Sequence, residues 1–147
     1  MVEVPAVALG IRPFLDRVDF LSIGTNDLVQ YIFAASREDS QLEEYCLVHH
    51  PVILGLIRGV ALAAHGRNKP VSVCGEIASD PALAPLLVGL GVRSLSVHPS
   101  ALGPVRENIR RYSHETLARV ARQALRATSA AQVLALLKKT NPQLERQ

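Results

Sequence analysis

Four short apolar runs, each closed by a polar turn and followed by helix-like spacing, set the rhythm of the chain. The first is Val2 and Val4 around Glu3, ended by Pro5. The second and best defined lies in residues 19–31, D-F-L-S-I-G-T-N-D-L-V-Q-Y. Here Phe20, Leu21 and Ile23 make a strand-length run, Gly24 ends it, and Asp27 opens a helical spacing through Leu28, Ile32 and Ala35. The third run, 71–73, closes on Cys74, Gly75 and Glu76, and the fourth, 94–97, on His98, Pro99 and Ser100.

The stretches between these runs read as helices and one long loop. Residues 6–18 place Leu9, Phe14 and Val18 on one side, with Gly10 and Pro13 expected to kink or split the helix. Residues 36–48 are polar and loop-like, carrying Arg37, Glu38, Asp39, Glu43 and Glu44. Pro51 opens a helix whose apolar side is Leu54, Ile57, Val60, Ala61 and Ala64. Asp80 and Pro81 open another through Leu86, Leu87 and Leu90, stopped by Gly91. Helices over 115–127 and 130–139 close the chain, the last capped by Ser129. The alternation predicts an α/β fold, a parallel sheet of about four strands joined by right-handed helical crossovers.

Composition agrees with that architecture. A chain of 147 residues fits one domain with a real core. With 48% hydrophobic residues but only three Tyr, three Phe and no Trp, the core must be aliphatic, which suits helices packed on a parallel sheet. The formal charge of +3 has its excess late, in Arg106, Arg110, Arg111, Arg119, Arg122, Arg126, Lys138 and Lys139. Spread along helices without interleaved aromatics, these read as solvated faces, so no nucleic acid partner is expected. Cys46 and Cys74 have neither metal-ligand spacing nor a secretory context, which points to a cytoplasmic protein. No apolar run approaches transmembrane length, and M-V-E-V-P does not open a signal peptide, so no membrane insertion is expected.

The polar residues fall where parallel α/β folds keep their ligands. Glu3, Asn26, Asp27, Cys74, Glu76 and His98 all lie at the carboxyl ends of the four runs. Asn26 and Asp27 could each be a site residue or simply a helix cap, since both types favour that position. Glu3 and Asp27 are hard oxygen ligands suited to magnesium, which takes one or two carboxylates and completes its shell with substrate oxygens and water. Arg37, beyond the helix after Asp27, could pair with phosphate or carboxylate through its planar fork, or be a surface arginine beside Glu38 and Asp39. Cys74 is either a buried structural thiol or a proton donor and acceptor facing a substrate. His49 and His50 precede Pro51 and read as structural at a helix start; His98 at most supports a neighbouring group.

Together these segments match a family. V-E-V-P at 2–5, S-I-G-T-N-D-L-x-Q-Y at 22–31, Ala-x-Arg at 35–37, H-P at 50–51 and C-G-E at 74–76 resemble the phosphoenolpyruvate-utilising enzymes. The resemblance runs from Met1 to about Leu137 and is nearest to enzyme I of the bacterial phosphotransferase system, including its nitrogen-related paralogue. Pyruvate phosphate dikinase and phosphoenolpyruvate synthase are similar at greater distance. It implies the C-terminal half of a (β/α)8 barrel over 1–113, with 114–147 as C-terminal helices packed on it. By the same likeness, Glu3 and Asp27 would ligate Mg2+, Asn26 and Arg37 would hold the phosphate and carboxylate of phosphoenolpyruvate, and Cys74 would protonate the enolate as pyruvate forms.

In that family the phosphoryl group passes to a histidine on a swivelling domain, and from there to a phosphocarrier protein. Neither that domain nor the earlier barrel strands, whose arginines meet the phosphate, has a counterpart here. Two departures are Gly10 with Pro13 in the first helix, and His98-Pro99 where small polar residues are usual. The isolated chain is therefore expected to have lost most activity. Its open sheet edges and an uncovered apolar face are expected to make it a homo-oligomer. The alternative role is a non-catalytic half-barrel module that dimerises or complements another chain.

Overall fold

Alternation of aliphatic and serine positions gives the sheet two unlike faces. The structure, a computed structural model, describes residues 1–36, 42, 45 and 47–140. Strands β1 (Leu21–Gly24), β2 (Val71–Cys74) and β3 (Ser94–Leu95) are parallel, in the order β1-β2-β3. Ser22 pairs with Ser72 and Ser72 with Ser94, so three serines lie in one row across the same face. The opposite face carries Leu21, Ile23, Val71, Val73 and Leu95, with Ile23 and Val73 completely buried. Parallel strands normally read as unbroken apolar runs because helices cover both sides. Among the described residues the aliphatic side is buried, while the opposite face is serine-lined and half-buried to exposed, not apolar as expected.

The run around Glu3 forms less than a full strand. Val2 makes a single parallel bridge to Ile23, its N–H donating to the Ser22 carbonyl at 2.7 Å while Gly24 N–H donates to the Val2 carbonyl at 2.9 Å. The succession Val2, β1, β2, β3, with helices on one side, is that of part of an α/β barrel.

Gly10 and Pro13 do split the first helix, into α1 (Pro5–Leu9) and α2 (Arg12–Leu15). Helix α3 (Thr25–Phe33) follows β1 without a break and begins ahead of Asp27. Helix α4 (Pro51–His65) opens on proline, and the His50 ring accepts the Val52 N–H at 3.2 Å, a structural role at the helix start. After β2 the chain makes the short α5 (Glu76–Ser79). The helix expected from Asp80 starts later: Asp80 Oδ1 accepts from Ala82 and Leu83 N–H at 2.7 and 3.3 Å, holding a turn, and α6 is Ala84–Gly89.

Beyond β3 lies a helix that the apolar spacing did not reveal, α7 (Leu102–Arg110). Helix α8 (His114–Ala124) is capped by Ser113, and α9 (Ala130–Thr140) follows Ser129, whose hydroxyl accepts the Gln132 N–H at 3.3 Å as expected of a cap. The core joins Ile53, Leu54 and Ile57 of α4 to Leu86 and Leu87 of α6, and α8 lies along α6. Each such aliphatic side chain contributes roughly 1.5–3 kcal/mol by leaving water. No helix among the described residues is long and apolar enough to cross a membrane.

Candidate functional site at the carboxyl edge of the sheet

The carboxyl ends of β1 and β2 are stitched together by the first residues of α3. Buried Thr25 donates its hydroxyl to the Cys74 carbonyl at 2.7 Å, tying the start of α3 to the last residue of β2. Next to it, Asn26 does not cap its own helix: α3 has no side-chain cap. Its amide reaches across instead, Oδ1 accepting the Glu76 N–H at 3.1 Å and Nδ2 donating to Glu76 Oε1 at 3.4 Å. Asn26 thus takes up the first N–H of α5, an orphan donor that the helix cannot satisfy itself.

Between Cys74 and Glu76, Gly75 has a φ of 105°, and a Cβ there would overlap Thr25 Oγ1 and Asn26 Oδ1. Only a residue without a side chain lets β2 turn this tightly under α3. The C-G-E and T-N-D segments are therefore one interlocked unit, 50 residues apart in sequence between Asn26 and Glu76.

Cys74 is a free thiol at the end of β2, on the same face as Ser22 and Ser72. Its sulfur donates to the Ile23 carbonyl at 3.5 Å, accepts from Ser22 Oγ at 3.8 Å and lies 3.9 Å from Met1 Sδ. Cys74 is half-buried there.

Glu3 folds over the end of β1. A Cβ on Gly24 would stand 3.2 Å from Glu3 Oε2 and 3.1 Å from Met1 Sδ, so the glycine makes room for both side chains. Asp27 is exposed in the first turn of α3, where the helix N-terminus favours a carboxylate. Among the described residues no three His, Cys, Asp or Glu side chains gather closely enough to ligate a metal by themselves. Glu3 against Gly24 and Asp27 in the first turn of α3 are each hard oxygen donors of the type magnesium takes, an ion that draws most of its shell from substrate and water.

The remaining candidates sort differently. Arg37 lies outside the described residues, as does Cys46. His98 is exposed at the end of the β3 run, its ring 2.8 Å from Ser100 Oγ and its N–H donating to Ser79 Oγ at 2.9 Å, a contact that holds the strand end against α5. His49 is buried with Nε2 unpartnered among the described residues, and burial lowers its pKa despite Asp80 nearby. Sequence reasoning missed Thr25 and the tie between Asn26 and Glu76. A hydroxyl directly after the strand-ending Gly24 was the available signal for Thr25, whereas a pairing across 50 residues leaves none.

Known proteins are similar to most of this chain. Residues 1–114 match the family described as PEP-utilising enzyme, PEP-binding domain. The phosphoenolpyruvate-protein phosphotransferase of Geobacillus stearothermophilus is 39% identical over 140 residues, covering 95% of this chain and 24% of that protein. That of Cupriavidus necator is 41% identical over 127 residues, 86% of this chain and 22% of that protein. Multiphosphoryl transfer protein 1 of Escherichia coli K12 is 36% identical over 143 residues, 97% of this chain and 17% of that protein. The chain thus spans about a quarter or less of the length of these relatives. With 1–114 matched to that domain, the chain belongs to the PEP-utilising enzyme family, within its PEP-binding domain.

Proposed function

We propose that this chain supplies the phosphoenolpyruvate-binding and catalytic edge of a phosphoenolpyruvate-protein phosphotransferase, acting in the cytoplasm. The observation that carries it is the thiol of Cys74, held by the Ile23 carbonyl at the end of β2, beside the end of β1 where Glu3 lies against Gly24 and Asp27 opens α3. In this reading Glu3 and Asp27 hold Mg2+, and Asn26 with Arg37 holds the phosphate and carboxylate of the substrate. Magnesium, when bound, offsets the negative charge on the phosphate oxygens.

The phosphorus–oxygen bond of phosphoenolpyruvate breaks as the phosphoryl group passes to a protein histidine nitrogen, and the departing electron pair leaves the enolate of pyruvate. Cys74 gives its proton to the methylene carbon of that enolate, completing the methyl group. Its contacts aim the sulfur, and the pleat of β2 keeps it on the serine-lined face. The clamp between Asn26 and Glu76 fixes the turn from which the phosphate would be held. A phosphocarrier protein is the downstream acceptor in this reading, and the acceptor histidine belongs to a separate domain.

Calorimetry of the chain with phosphoenolpyruvate and magnesium, beside Asp27→Ala, tests the proposal. Heat of binding in the wild type that Asp27→Ala removes is expected. Its absence from the wild type would overturn the assignment of a working site.

A second reading, an association module that pairs with another chain, is favoured by one observation. Beyond Val2 on one side and β3 on the other, no further strand pairs among the described residues.

A further inference from the structure

A cavity of about 740 Å³ lies on the helix-covered side of the sheet at β3, apart from the edge that holds Asp27 and Cys74. Its floor is aliphatic: Leu95 and Val97 from the strand run, Val105 and Ile109 from α7, and Leu125 after α8. Five arginines line it, Arg58, Arg93, Arg106, Arg110 and Arg122, joined by His65 and His114, and no Asp or Glu does. These cations come from separate parts of the chain: α4, the approach to β3, α7 and α8.

Any one of these arginines alone would be an ordinary solvated side chain. Convergence on one apolar floor is different, because five arginines line it and no acidic side chain does. Among the described residues, ion pairs join Arg67 to Asp16 and Arg111 to Glu107, and neither involves a lining arginine. Glu107 is thereby drawn to Arg111, which does not line the cavity. Arg58 spends one donor on the Leu90 carbonyl at 2.8 Å, which fixes its stem and leaves the rest of its fork. Burial lowers the pKa of His65, and the nearby Arg93 and Arg58 lower it further.

We propose that this cavity binds a small amphipathic organic anion, its apolar body on the aliphatic floor and its phosphate or carboxylate head among the arginines. The volume lies in the range of small-molecule sites, and the guanidinium fork matches both oxyanions.

Calorimetry of the full chain with octyl phosphate, inorganic phosphate and octanol tests this. Octyl phosphate is expected to bind at least about tenfold more tightly than either of the others. Arg106→Glu combined with Arg110→Glu, both exposed on α7, should weaken it by about tenfold or more with an unchanged thermal midpoint. Arg12→Glu with Arg17→Glu makes the same charge change away from the cavity and should leave binding intact. If the first pair fails to fold, Arg106→Gln with Arg110→Gln takes its place with the same expected loss. The proposal is overturned by equal affinity for inorganic phosphate or octanol, or by equal loss in both charge-reversed pairs. Undiminished binding by the α7 pair, or co-sedimentation with phosphatidic acid vesicles that octyl phosphate fails to displace, would overturn it too.

Discussion

Asn26 and Glu76 hold each other at two points, the amide oxygen on the Glu76 N–H at 3.1 Å and the amide nitrogen on its carboxylate at 3.4 Å. This links the start of α3 to the start of α5. Asn26→Ala is expected to lower unfolding free energy by about 1 kcal/mol in a urea titration. Asn26→Asp keeps the acceptor but sets a carboxylate against a carboxylate, so it should be less stable at neutral pH and be restored by Glu76→Gln. Restoration that fails would mean the two side chains act independently.

Cys74 offers a prediction that does not need a phosphoryl acceptor. A group that protonates the enolate is, in reverse, the base that forms it, so the chain with magnesium should exchange the methyl protons of pyruvate in deuterated water. Proton NMR of pyruvate should show the exchange in the wild type and a loss of at least about tenfold in Cys74→Ala. Equal rates in both would remove the thiol from the chemistry.

Acid should loosen the fold through His49. Its folded pKa is lowered from 6.5 by burial, with His50 acting the same way and Asp80 opposing. The unfolded chain therefore binds the proton more readily, and stability rises with pH through the window below 6.5. The thermal midpoint should fall as the buffer is taken from about pH 7.5 to about pH 5.5, with His65, shifted in the same direction, adding a little. His49→Gln should flatten that dependence; an unaltered slope would assign it to other groups.

Among the described residues no strand pairs with the outer sides of Val2 and β3, which leads to an expectation about size. Backbone donors and acceptors along an open edge recruit another strand, so light scattering should give a mass above one chain, increasing with concentration. A single-chain mass at all concentrations would contradict it.

Much of this was written in the local pattern. Gly24, Gly75, Pro51 and Ser129 mark ends and beginnings that the structure reproduces, because each acts through its own backbone or its nearest neighbours. Helix α7 escaped because Gly103 and Pro104 follow its first residue, so Leu102, Val105 and Ile109 do not announce a helix. The delay of α6 to Ala84 escaped because Asp80 could as well cap a helix as hold a turn. At the site, residue types at the strand ends were legible from spacing, whereas the tie of Asn26 to Glu76 depends on which strands become neighbours. The run around Glu3 looked like a strand by alternation, yet only Val2 bridges β1.

The serines at 22, 72 and 94 carry a last implication. A trough cut from a barrel would ordinarily spill its oily filling, but hydroxyl groups here let water stand in it at little cost. Cohesion then resides in the outer shell of helices, so the rim bearing the thiol and the carboxylates can keep its shape while the hollow beneath is filled, emptied or shared with another molecule.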